Sequence, residues 1–239
     1  MWFRAIWWVT SQKNGASALG LKRILGLGSY KTAWVWLHKL RRAMVRPGRD
    51  RLSGKIEVDE TYLGSVEKGV RGRQTAKKAL IAVAAQEVGK RGVGRIRMKR
   101  IHDVSSQSLH PFVEESIEPG SVVHTDGWDG YCGLEAKGYI HEVTILHKRE
   151  ESASELLPRV HRVISLLKRW LLGTHQGAVS NAHLDYYLDE FTFRFNRRTS
   201  NYRGKLFYRL LQNAIETEPT HYKQMVKHVR GQKSRKHNM

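Results

Sequence analysis

A mixed α/β domain, with helices flanking a central sheet and a small all-helical region ahead of it, follows from three observations. Apolar residues recur at helical spacing over residues 1 to about 46. Beyond them the pattern changes to short runs that alternate with period two or are apolar throughout. Those runs arrive as three strands, helix, strand, helix, strand, and helices close the chain.

The opening "MWFRAIWWVT" has too short an apolar part for a secretory leader, is broken by Arg4 and is followed by no small-residue cleavage site. It reads as a helix with its aromatic face packed inward. Two periodic segments follow around "GLGS": Ala18, Leu21, Ile24 and Leu25, then Ala33, Trp36, Leu37, Leu40 and Met44. Ser29 stands where the second helix needs an N-cap. A short glycine-containing turn between two helices predicts a helix-turn-helix. Tyr30, Lys31 and Thr32 then open the recognition helix, and Lys39, Arg41 and Arg42 follow for phosphate contact. The competing reading is an ordinary helical hairpin with a solvated basic face.

"RPGRDRLSG" (46–54) reads as a linker broken by Pro47, Gly48 and Gly54. "KIEVDETYLG" alternates apolar and acidic residues and predicts a half-buried strand. "GVRGRQTAKK" is a basic loop, "ALIAVAAQE" a buried strand and "GRIRMKRIHDVS" an alternating one. "SSQSLHPFVEESI" predicts a short helix capped by Ser105 or Ser106, and "GSVVHTDG" a strand ending in an aspartate. "WDGYCGLEAKG" reads as a short helix and "HEVTIL" as a strand. From Ser154 onward the chain reads as helical, and the tail from about 219 is basic and loose. The expected division is 1–46 helix-turn-helix region, 47–54 linker, 55–215 mixed α/β domain and 216–239 tail.

Composition narrows the class of partner. The chain has 239 residues, 42 Lys+Arg against 22 Asp+Glu, and a net charge of +20, which favours a polyanion. One cysteine, Cys132, excludes a disulfide framework and a four-cysteine zinc site and fits a reducing compartment. No apolar run approaches the ~20 residues of a membrane span, so a cytoplasmic location is expected.

Acids in so basic a chain need a reason. Asp59 lies on the first strand, and Asp126 ends the fourth, followed by Gly127, where open α/β sheets place their sites. Two aspartates brought together by strands suit Mg²⁺ or Mn²⁺, held by one or two carboxylates plus phosphate oxygens. A pair of such ions ~3.5–4 Å apart serves phosphoryl transfer. His161 and Lys168 are seven residues apart and share one helix face. Each alone also fits a solvated or structural side chain, and spacing alone does not make a triad.

Taken in order, "EVDETYLG", "RGRQTAKK", "HTDGWDGY", "LLKRWLLGTHQG" and "HLDYYLDEFTFRFNRR" resemble the DDE-type transposases of bacterial insertion sequences, over roughly residues 55–215. The resemblance implies an RNase H-like catalytic domain in which Asp59 and Asp126 are the first two catalytic carboxylates. It sets His161 at the third position, where much of the family has Glu or Asn, with Lys168 as the basic residue that contacts phosphate near the scissile bond. A two-metal site of Mg²⁺ or Mn²⁺ is implied, with imidazole favouring Mn²⁺. The implied partners are the element's terminal inverted repeats and target DNA as duplexes, bound by a homo-oligomer in a bacterial cytoplasm at the nucleoid. Arg71, Arg73, Lys77, Lys78, Arg169, Arg194, Arg197 and Arg198 are candidates for backbone phosphates. Members of this branch often begin with a four-cysteine zinc ribbon. With one cysteine it is missing here, so either this subgroup lacks it or the reading frame is a fragment. A catalytically impaired remnant and a non-catalytic helix-turn-helix protein are the alternatives.

Overall fold

The computed structural model describes residues 1–46, 48–64, 78–90, 92–144, 156–177, 179–222 and 225. The described chain divides into two compact units: Asp50–Arg169, and Met1–Arg49 together with Trp170–Met239.

The first unit is built on a five-stranded sheet of order β3-β2-β1-β4-β5. The strands are β1 (Lys55–Leu63), β2 (Ala79–Val88), β3 (Gly92–Ile101), β4 (Val122–Thr125) and β5 (Ile140–Val143). β1 pairs antiparallel with β2, and β2 with β3, while β1–β4 and β4–β5 are parallel. This is the α/β class expected from the sequence, a mixed sheet flanked by helices. β1 shows why period-two reading succeeded: Ile56 and Val58 join Leu109, Phe112 and Val113 of helix α4 (Ser106–Ser116) in one core. Glu57, Asp59 and Thr61 point to the other face. Seven successive residues of β2, from Ala79, are buried because the sheet is covered on both sides.

Two local readings change. "WDGYCGLEAKG" folds as two 3₁₀ turns, Asp129–Tyr131 and Glu135–Lys137, and not as one helix. Gly133 inside the stretch and Gly138 at its end adopt positive φ, which breaks an α-helix. At α4, Ser105 occupies the cap position but makes no side-chain cap bond. The Asp103 carboxylate accepts from Ser105 N at 3.0 Å and Ser108 Oγ at 2.8 Å instead.

The second unit is helical: α1 (Trp2–Ser11), α2 (Ala18–Leu25) and α3 (Tyr30–Ala43), with α6 (Leu184–Phe195) and α7 (Arg203–Glu216) from the far end of the chain. The boundary between units falls inside α5 (Pro158–His175). Residues 170–215, grouped with the catalytic domain in the sequence reading, thus pack with the first 49 residues. The reason is a shared core: Ala5, Val9, Leu21, Leu37 and Leu40 bury against Phe193, Leu206 and Leu210. Ser17 caps α2 through Gly20 N, whereas Ser29 sits at the N-cap of α3 without a side-chain bond. Among the described residues no helix is long and apolar enough to cross a membrane.

Candidate active site

The site forms where β1 and β4 run parallel. Glu57 pairs with His124, and the same register continued by two residues sets Asp59 opposite Asp126, just past the end of β4. The paired ladder itself ends at Glu57–His124; neighbouring strands lie about 4.8 Å apart, so Asp59 and Asp126 follow it on adjacent strands. Gly127, at φ 82°, turns the backbone away at once. Asp126 Oδ1 accepts from Trp128 N at 3.1 Å, and Asp59 Oδ1 accepts from Glu60 N at 2.8 Å. Each aspartate is therefore oriented by its own following backbone.

α5 completes the group. Its first turn docks on the buried carboxylate of Glu57, which accepts from Arg159 N at 2.7 Å and Val160 N at 2.8 Å. A carboxylate at a helix N-terminus satisfies two otherwise unpaired donors and meets the positive end of the helix dipole. The Arg159 guanidinium also donates to Glu57 at 2.9 Å, to Glu87 at 2.5 Å and to the Lys90 carbonyl at 2.9 Å. Pro158, whose missing N–H costs nothing at the first helical position, opens the helix. This clamp fixes His161 one residue beyond Val160, and its Nε2 stands 3.7 Å from Asp59 Oδ2.

That separation is too long for a hydrogen bond. Burial lowers the His161 pKa, with Lys168 acting in the same sense, while Glu57 and Asp126 oppose them. The ring is thus neutral near pH 7 and keeps a lone pair for a cation. Among the described residues no three His, Cys, Asp or Glu side chains already form a metal cluster. The donors still fit Mg²⁺ or Mn²⁺, because such ions take one or two protein carboxylates and complete their shell with substrate phosphate oxygens. Asp59 and His161 supply one such pair, and Asp126 is the next donor by register.

Tyr131 backs the site from the core side. It is fully buried and donates its hydroxyl to Glu60 Oε2 at 3.0 Å. Burial, then the charges of Glu60, Asp59 and Asp126, pushes its pKa well above the usual phenol value, so it keeps its proton to donate. Gly130 makes this possible: a Cβ there would lie 2.2 Å from the Val104 carbonyl oxygen. Lys168 and Arg169 are exposed on α5, two turns beyond His161.

Other sequence candidates fare differently. Tyr30, Lys31 and Thr32 are exposed at the start of α3, with Lys31 Nζ 4.1 Å from the centre of the Tyr222 ring. Lys78 immediately precedes β2, and Arg71, Arg73 and Lys77 lie outside the described residues. Arg194 is a correction. Its guanidinium donates to Glu190 at 2.9 Å, the Gln12 carbonyl at 2.7 Å and the Val9 carbonyl at 2.9 Å, so its donors are consumed inside the helical unit. Arg197 and Arg198 lie over the Phe193 and Phe195 rings at 4.2 and 4.0 Å.

The sequence reading passed over Glu57 as a positioning group, Arg159 as its partner and Tyr131 as the donor to Glu60. Alternation along β1 does put Glu57 and Asp59 on one face, and the Pro158–Arg159 pair signals a helix start. Nothing in the spacing joins residues 102 positions apart.

No curated protein matches the sequence. The simian T-cell lymphotropic virus intasome, solved with PP2A regulatory subunit B56 gamma, is similar over 80% of this chain and 74% of that one, with 13% identity and a TM-score of 0.41. The Mos1 transposase paired-end complex with the left transposon end is similar over 89% and 78%, with 12% identity and a TM-score of 0.32. The ISXO2-like transposase domain matches residues 51–196, which spans β1, β4 and α5 with every residue of the site, and the chain belongs to that family of transposase domains.

Proposed function

We propose that this chain is a metal-dependent transposase that cleaves DNA at the ends of its own insertion sequence and joins them to target DNA. The observation that carries the reading is the Asp59–His161 pair, 3.7 Å apart, with Asp126 next to it by strand register. In the first step water displaces the 3′ oxygen at the element end, and a 3′-hydroxyl is released. In the second, that hydroxyl displaces a 3′ oxygen of target DNA, forming one phosphodiester as another breaks. Mg²⁺ or Mn²⁺ bound at the site supplies Lewis acidity and neutralises charge in such transfers.

The side chains divide the remaining tasks. Asp59 and Asp126 hold cations and keep their own charge from repelling phosphate. Neutral His161 adds a donor without adding charge, which shifts preference toward Mn²⁺. Lys168 and Arg169 seat phosphates beside the scissile bond, the lysine as a point charge. Tyr30, Lys31 and Thr32 read the terminal repeat from the start of α3 as part of a helix-turn-helix. Paired ends call for a homo-oligomer on DNA, acting in the bacterial cytoplasm.

A labelled duplex carrying the element end, mixed with a supercoiled target plasmid and either metal, tests this. Joined product supports the proposal. Cut product alone makes the chain a nuclease. Binding with neither product makes it a helix-turn-helix DNA-binding protein, the reading favoured by the exposed start of α3. His161→Glu is expected to raise activity in Mg²⁺ relative to Mn²⁺. Equal metal ratios for this variant and wild type would overturn the role given to His161.

A further inference from the structure

The start of α7 holds unfavourable charge. Its first turn contains no acid, and its cap residue Tyr202 makes no side-chain cap bond. Cations near a helix N-terminus oppose the dipole, yet Arg203 and Lys205 stand there. A cleft of about 560 Å³ opens beside this turn, lined by Arg197, Ser200, Gly204, Lys205, Tyr208 and Arg209. Among the described residues no carboxylate lines it.

Arg197 cannot swing away to relieve the repulsion. Its guanidinium lies 4.2 Å from the centre of the Phe193 ring and donates to the Phe193 carbonyl at 3.3 Å. Burial, and then the charge of Arg209, pulls its pKa down to about 10. Lys205 and Arg209 are exposed, and Tyr202 and Tyr208 flank them with 65% and 61% of their surface open. A Cβ built on Gly204 meets nothing within 4 Å. A concave, preorganised set of cations at amide donors is what an anion requires.

We propose that this cleft seats a backbone phosphate of duplex DNA, held by Arg197, Lys205, Arg209 and the first-turn amides of α7. The proposal rests on the DNA-acting reading above and adds a contact made by none of the residues given to catalysis or to α3. Duplex DNA is the occupant that the chain's net charge of +20 favours, and a site built from cations contributes affinity without sequence preference.

The test is fluorescence anisotropy of the full chain with labelled duplexes of unrelated sequence, across a range of salt. Two variants are compared with wild type: Gly204→Asp, and Lys205→Gln with Arg209→Gln. Both are expected to bind every duplex more weakly, with a log–log salt slope shallower by about 1 per lost phosphate contact. Gly204→Asp is also expected to melt higher, because an acid at the helix start suits the dipole. Loss of binding with a raised Tm is an outcome that damage to the fold would not produce. If wild type binds and both variants keep its slope, the phosphate seat is overturned and the transposase reading stands. If wild type binds no duplex, both are overturned.

Discussion

Glu57 in the sheet unit and Glu190 in the helical unit are both sealed from solvent, in a chain whose acids are outnumbered almost two to one. Glu57 spends its oxygens on two backbone amides and one arginine at the start of α5. Glu190 spends its own on Arg41 Nε at 2.7 Å, Arg194 Nε at 2.9 Å and Ala16 N at 3.3 Å. The first is a helix dock that sets the angle of a side chain two residues downstream. The second neutralises two buried arginines, and Arg41 in turn lies 4.0 Å above the Tyr187 ring. The contrast teaches that burial of a carboxylate identifies a structural role, while the partners decide what is being held. Asp59 and Asp126, by contrast, are left partly open.

The largest expected effect comes from breaking the helical unit. Glu190→Ala strands two buried guanidinium groups and is expected to cost about 3–5 kcal/mol. Six of the seven tryptophans, at positions 2, 7, 8, 34, 36 and 170, belong to that unit, so urea denaturation followed by intrinsic fluorescence reads the change directly.

Acid probes the same unit. Burial would raise the Glu190 pKa, but Arg41 and Arg194 outweigh it and bring it down to about 2. Burial, with Arg41, lowers His38 to about 2 and His175 to about 4. All three bind protons more readily when unfolded. The two histidine contributions are complete above about pH 6.5 and fade as pH drops toward the folded values; the Glu190 contribution fades below about 4.5. Each group adds up to about 1.4 kcal/mol of lost stability per pH unit over its window. Among the described residues neither ring nitrogen of His38 has a hydrogen-bond partner in its buried site, beside His183 and Tyr187. His38→Phe is expected to flatten the acid limb of a Tm-against-pH curve between pH 6 and 4, and an unchanged limb would assign the acid sensitivity elsewhere.

Glu57→Gln sharpens the other half of the comparison. It retains an acceptor for one α5 amide and loses the charge, so stability should fall by about 1–3 kcal/mol. Strand transfer should fall further than stability alone explains, by about 10²-fold if α5 shifts by 1 Å. Mn²⁺ affinity measured by paramagnetic resonance should weaken in parallel. Full affinity and full joining activity in a correctly folded variant would show that α5 finds its place without this dock.

The smallest expected change is in Lys168→Gln. The side chain is exposed, so stability should move by less than about 0.5 kcal/mol, while the salt slope for element-end binding drops by about 1.

Much of this was legible from residue order. Period-two alternation located β1 and put Glu57 and Asp59 on one face, and the apolar run of "ALIAVAAQE" located a strand covered on both sides. Helical spacing found α2 and α3, and the glycine after Asp126 marked a strand end. Other features were hidden because they depend on who the neighbour is. Arg194 reads as a solvated cation until Glu190 and two carbonyls from the N-terminal helix surround it. "WDGYCGLEAKG" reads as a helix until positive-φ glycines and the burial of Tyr131 split it into tight turns.

By itself the sequence determined the order of the five strands and the main helices, the strongly basic charge and the candidate acids, because these follow from side-chain periodicity and charge along a single chain. Only the tertiary structure decided which acid does what. Hydrogen bonds between residues more than 100 positions apart turned Glu57 into a helix dock and Glu190 into a counter-ion. A helix start then set His161 Nε2 3.7 Å from Asp59 Oδ2. Register and docking are properties of packed surfaces, set when apolar faces are buried and every sealed polar group must find a partner.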